Sequence, residues 1–205
     1  MNIVDLTHTF SDTMPVYPGD PIPELRCVAE VAVGGITKYE VSTGMHVGTH
    51  MDAPLHMVEG GAYLSEFPPD KFLGRGVLLD ARGKSSIDTD LVRGSDLRPG
   101  DIAIIMTGLS KRYRSPEYFD SYPEITSKLA QLFVEAGVSI VGMDTPSPDR
   151  PPFGIHKILL GNRILIIENL TNLHSLEGRG AFELIALPAK FHAEAAPTRV
   201  IARFV

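Results

Sequence analysis

The chain has 205 residues, 43% hydrophobic and 21% charged, which suits one soluble globular domain spanning 1–205 and leaves little room for two. Its formal charge of −6 offers no basic stripe for phosphates, which argues against nucleic acid, and no apolar run approaches the ~20 residues that span a bilayer. A lone cysteine, Cys27, excludes an internal disulfide, and the first residues lack the basic start and apolar run of a signal peptide, so a cytoplasmic location is expected.

Residues 3–6 read as a short strand. The stretch 11–23 holds four prolines and a glycine, which bars regular structure and predicts a long constrained loop of the kind that forms lids and binding sites. Tyr17 is the residue there best able to grip a ligand by stacking; packing the loop onto the body is an equal alternative. Residues 26–33 and 37–43 read as two strands joined at Gly34-Gly35, with Cys27 as inert core. A short helix is expected over 63–67, a buried strand over 76–80, turns with a helical piece over 88–97, and an apolar strand over 101–106. The charged and aromatic segment 111–122 reads as an excursion over the surface. The clearest helix starts near Pro123-Glu124, where Ile125, Leu129, Leu132, Phe133 and Ala136 keep the 3.6 period, and it ends at Gly137. A buried strand over 138–142 runs into the polar loop 144–149, where Asp144 is expected to cap the next turn. A short helix (153–160), a strand (163–167) and two further strands (182–187, 198–205) complete a mixed sheet flanked by helices.

Three of the seven histidines and an aspartate fall within 46–56: His46, His50, Asp52 and His56, spaced by Gly48 and Pro54. Imidazole and carboxylate are the usual donors to Zn²⁺, Mn²⁺ or Fe²⁺, and such groups crowd together at a cost unless a cation neutralises them. In a straight strand the His46 and His50 α-carbons would stand roughly 13 Å apart, too far to share an ion easily. Gly48 lets the backbone turn between them, and Pro54 stiffens the path from Asp52 to His56. Two more residues invite comparison. His156 shares a helix face with Leu159 and Leu160 and so points inward, as a core histidine or as a ligand. Glu168 comes directly after an unbroken apolar run, where a carboxylate is rarely buried unless paired or bound to metal; a strand-end carboxylate reaching water is the alternative. His8, His174 and His192 stand alone and read as surface or packing residues. No nucleophile elbow, phosphate-binding glycine loop or dinucleotide fingerprint is present, which disfavours a serine hydrolase.

The run at 46–56 resembles the His-x-Gly-Thr-His-x-Asp-x-Pro-x-His signature of the cyclase-like metal-dependent hydrolases, the family of the bacterial kynurenine formamidases and isatin hydrolases. The resemblance continues through Tyr17-Pro18-Gly19-Asp20, Thr107-Gly108, Asp144-Thr145-Pro146-Ser147, His156 and Glu168-Asn169-Leu170. It implies a swivelling α/β/α cyclase-like fold, an amide-bond hydrolase of the arylformamidase type, and a homo-oligomer (dimer or tetramer) that takes a small-molecule amide. It implies His46, His50, Asp52, His156 and Glu168 as ligands to a divalent metal, two ions of Zn²⁺ or Mn²⁺ per chain, with Asp52 bridging them and His56 as general acid/base. Opening of a cyclic amide, as in isatin hydrolases, and metal binding without turnover are the other readings. Bacterial kynurenine formamidases typically carry tryptophan where this chain, which has none, has Tyr17.

Overall fold

Successive side chains of a strand leave on opposite faces, and the central strands here are apolar on both, so each must be covered twice. The computed structural model, which describes residues 2–204, meets this demand by rolling the sheet up. In chain order the strands are β1 Ile3–Asp5, β2 Glu24–Ala29, β3 Lys38–Ser42, β4 His50–Asp52, β5 Leu73–Asp80, β6 Ser86–Ile87, β7 Ile102–Met106, β8 Glu124–Ile125, β9 Ile140–Met143, β10 Leu165–Glu168, β11 Phe182–Pro188 and β12 Ala195–Phe204. The α-helices are α1 Val31–Gly34, α2 Glu117–Asp120, α3 Ser127–Glu135 and α4 Gly154–Gly161.

The main sheet runs β1-β12-β11-β5-β7-β9-β10-β4, and β4 pairs back onto β12, so seven strands close a barrel. β4 and β1 share one edge of β12, which leaves β1 outside the ring. The run β5-β7-β9-β10 is parallel and the remaining ladders are antiparallel. Met51, Ile102, Ile104, Leu165, Ile167 and Leu184 point inward. The alternate residues Ala103, Ile105, Val141 and Ile166 point outward, beneath Leu129 and Phe133 of α3 and Leu159 and Leu160 of α4. Gly76 is where the barrel wall comes closest to a ring: a Cβ there would stand 1.9 Å from Phe182.

The expected mixed sheet is present, but the flanking layers of helix are not: α3 and α4 cover part of the outer face only, because the inner face is covered by the sheet itself. α3 begins later than its periodicity suggests. Glu124 and Ile125 are drawn into a ladder with Ser86 and Ile87, and Thr126 caps the helix by accepting the Leu129 N–H at 3.2 Å. The segment 111–122 is a surface excursion only on its charged side; Tyr113, Tyr118 and Tyr122 are buried. Cys27 is exposed rather than core. It belongs to the β2–β3 hairpin, which stands outside the barrel and alternates without a second layer above it. Among the described residues no helix is long and apolar enough to cross a membrane.

Candidate metal centre

The centre grows from the antiparallel ladder between β4 and β10, in which His50 faces Glu168 and Asp52 faces Ile166. Met51 and Ile167 of these strands point into the barrel, so His50, Asp52 and Glu168 are directed to its outer side, beside α4. His46 arrives through a turn rather than along the strand. Gly48 takes φ +69°, a left-handed conformation that L side chains rarely adopt, so the turn needs glycine there. This brings the His46 and His50 rings to 5.1 Å between centroids. α4 contributes His156 from its inward face.

All five expected ligands therefore converge. His46 Nδ1 lies 3.0 Å from Asp52 Oδ1, and His50 Nε2 lies 3.4 Å from the same oxygen. On the other side His156 Nε2 stands 3.9 Å from Asp52 Oδ2 and 3.4 Å from Glu168 Oε1, and His50 Nε2 is 3.3 Å from Glu168 Oε2. Two donors at about 2.0–2.1 Å from one tetrahedral zinc are separated by about 3.3 Å, so these spacings suit shared ions. His50 Nε2 and both Asp52 oxygens are buried and have no hydrogen-bond partner among the described residues. Buried polar atoms are almost always paired, and three orphans aimed at one another fit a cation site.

The other nitrogen of each histidine is also accounted for. His50 Nδ1 lies 2.8 Å from the Gly48 carbonyl, which directs Nε2 to the centre. His156 Nδ1 lies 2.6 Å from Asp149 Oδ1, while Asp149 Oδ2 accepts the Ile155 N–H at 2.6 Å at the start of α4. His46 Nε2 lies 3.4 Å from Glu194 Oε1. The hydrogen-bonded partners of His50 and His156 fix the tautomer and orientation of those rings, while Glu194 meets His46 only as a charge contact.

The charges respond to one another strongly. Burial alone would keep His46 neutral, but Asp52 overrides it and raises its pKa to about 9. For His156 burial is again overcome, by Asp149 and Glu168, which lift it to about 10. His50 rises against its burial through Asp52 and Glu168, and Asp52 is held low against its own burial by His46 and His50. A proton is thus favoured on His46 and His156 where a cation would sit, and metal binding would displace it. His56 behaves differently: burial lowers its pKa, Asp52 opposes this, and His46 and His156 reinforce it. It ends a single helical turn, Pro54–His56, with its ring 4.2 Å from His46 and 5.7 Å from His156. One of its ring nitrogens lies within 4.8 Å of candidate ligand atoms on His46 and Asp52.

Above the centre opens a cavity of about 440 Å³, lined by His46, His56, His156 and Glu168 at its base. Tyr17, Phe119, Phe153 and Pro146 supply much of its wall, and Tyr17 meets Phe119 edge-on at 5.9 Å. Tyr17 therefore borders the cavity and also packs the loop. Asp144 does not cap the turn after it; its carboxylate accepts the Thr107 and Gly108 N–H groups at 2.7 and 2.8 Å, tying the ends of β7 and β9 together. His8 packs on Tyr113 with 3.7 Å between ring centroids, while His174 and His192 lie at the surface. Sequence reasoning missed Asp149, Glu194, Phe119 and Phe153. Asp149 carried a usable signal, an acid just ahead of a predicted helix; Glu194 carried none.

The model of the Cyclase family matches residues 4–150. An uncharacterised protein of Methanocaldococcus jannaschii is 38% identical over 98% of this chain and 99% of its own length. The kynurenine formamidase of Bacillus cytotoxicus is 27% identical, with 98% and 96% covered. Isatin hydrolase A from Labrenzia aggregata, solved bound to benzyl benzoate, superposes with a TM-score of 0.88 at 25% identity over 98% of this chain and 93% of its own. A potential metal-dependent hydrolase with cyclase activity gives a TM-score of 0.81 at 28% identity, with 98% and 96% covered.

Proposed function

The chain belongs to the Cyclase family, and from that premise we propose that it is a metal-dependent hydrolase that cleaves the C–N bond of an aryl formamide. The observation that carries this reading is the convergence of the orphaned His50 Nε2 and both Asp52 oxygens with His46, His156 and Glu168 beneath an aromatic-walled cavity. In this reading Asp52 would hold divalent metal together with His46, His50, His156 and Glu168. Zn²⁺ and Mn²⁺ both suit the donors. Such an ion, when bound, supplies Lewis acidity toward a carbonyl oxygen and lowers the pKa of water from 15.7 towards about 7.

The remaining tasks fall to the chain's own residues. His56, kept neutral by its burial, takes the proton of the attacking water at a ring nitrogen and delivers it to the departing nitrogen. An aniline leaves more readily than an alkyl amine, which suits an aryl amide. Tyr17, Phe119 and Phe153 hold the flat ring and exclude water from its faces. The cavity is of the size that takes one small molecule. The same residues would open a cyclic amide, and the superposition on isatin hydrolase A supports that second reading. A homo-oligomer belongs to the proposal as well. The β2–β3 hairpin exposes Tyr39 and Val41 at 60% each, and the connection between its strands exposes Val33 of α1 at 90% and Ile36 at 50%. An isolated two-stranded hairpin is marginal in water. Its mixed charges (Glu24, Arg26, Glu30, Lys38, Glu40) suit a second copy better than a strongly charged partner.

The test is turnover of formanilide, N-formylkynurenine and isatin by the purified chain, with and without chelator. Hydrolysis of the formamides that chelator abolishes and Zn²⁺ or Mn²⁺ restores is expected. Turnover of isatin alone moves the assignment to the cyclic amide. Metal binding with no turnover of any of them overturns the enzyme reading.

A further inference from the structure

Three histidines of the centre are buttressed, but not alike. His156 leans on Asp149, and both are dry, with side chains 3% and 5% accessible and a 2.6 Å contact. His46 leans on Glu194, and both are wet, 23% and 37% accessible with a 3.4 Å contact. Glu194 is nonetheless fixed in place. Its carbonyl accepts the Ala53 N–H at 2.8 Å, and the residue after it pairs with Asp52 in the β12–β4 ladder. Among the described residues His46 is its only ion-pair partner, so Glu194 is not one member of a surface charge network.

We propose that Glu194 is the positioning residue of the outer half of the centre: its carboxylate, 3.4 Å from His46 Nε2, favours a proton there and so turns Nδ1 toward Asp52. The centre is therefore unequal, with one cation held tightly at His156–Glu168 and a second held weakly and exchangeably at His46. This inference rests on the metal reading above. The physical reason is dielectric: the same carboxylate–imidazole contact orients and polarises the ring more strongly when dry than when water competes for both partners.

The test is stepwise titration of the chelator-stripped full chain with Zn²⁺, followed by competition with a chelating dye, and with Co²⁺ for its visible spectrum. Wild type is expected to bind in two steps of distinct affinity. Glu194→Gln is expected to weaken the second step about 10–100-fold, the usual cost of losing such a partner, to alter the Co²⁺ band of that step, and to leave the first step unchanged. In a His46→Ala background the Glu194→Gln change is expected to have no further effect, since the two act as one unit. Unchanged binding in Glu194→Gln, or equal weakening of both steps, overturns the role of Glu194 and leaves the metal reading standing. A wild type that binds no ion at all overturns both.

Discussion

At the β4–β10 end of the barrel every apolar side chain is covered, and Met51 and Ile167 have no exposure at all, while the atoms without partners are polar. In the β2–β3 hairpin the strands pair from Glu24↔Ser42 to Ala29↔Lys38, with a bulge between Cys27 and Ala29, while the uncovered groups are apolar, Val28 at 43% and Val41 at 60% among them. The two regions are incomplete in opposite senses. Orphaned polar atoms in a dry place call for a charge; uncovered apolar atoms on a projecting arm call for another surface. A soluble monomer without cofactor would be expected to show neither feature, so the pair of them supports the proposal of a metalloprotein that associates with itself.

The largest effect that would break this contrast is at Asp52. Asp52→Asn keeps the shape but removes the charge that both halves of the centre share, and is expected to lose most bound metal and with it activity. Metal retained at the wild-type level would show that the ions sit elsewhere. His56→Ala comes next. It is expected to keep its metal while kcat falls about 10²–10⁴-fold, the usual worth of general acid–base catalysis. The ring lies close enough to His46 and Asp52 to ligate, so loss of metal together with activity would recast His56 as a ligand.

The arm can be tested in the same spirit. Val41→Glu, which places a charge on each copy where two hairpins would meet, is expected to weaken self-association about 10–100-fold. Sedimentation or light scattering reads the change, and turnover per site reports whether the centre is intact. A wild type already monomeric at micromolar concentration would show that the hairpin does not join two copies. The smallest effect is expected at Tyr17. Aromatic contact adds roughly 0.5–1.5 kcal/mol beyond burial, so Tyr17→Ala should lower kcat/KM for an aryl formamide about two- to tenfold and spare a small aliphatic formamide. An equal loss on both substrates would limit Tyr17 to supporting the loop.

What was legible in the sequence was local chemistry. His46, His50, Asp52 and His56 announced themselves because four ligand-type residues rarely crowd into one short run unless an ion holds them there. Glu168 did so because it ends an apolar strand. The helical face carrying His156 could be read from Leu159 and Leu160. What was not legible depends on partners far along the chain. Closure of the barrel rests on β4 meeting β12, and alternation within either strand says nothing of its neighbour. Alternation also made Cys27 look like core, since a hairpin free of the body has the same pattern as one packed on it. The tyrosines of 111–122 looked like surface because their neighbours are charged; Tyr118 is in fact buried, donating to Asn169 Oδ1 at 2.8 Å behind the centre. Glu194 becomes meaningful only once β12 lies beside β4.

If the orphaned atoms of His50 and Asp52 are those of a cation site, the protein holds metal there, and elemental analysis counts it. The protein is purified without chelator, its zinc and manganese are counted per chain, and a stripped sample is reloaded by dialysis against each metal. Up to two divalent ions per chain are expected, released by chelator and regained on reloading. Protein that is metal-free as isolated and cannot be loaded would contradict a cation site at His50 and Asp52.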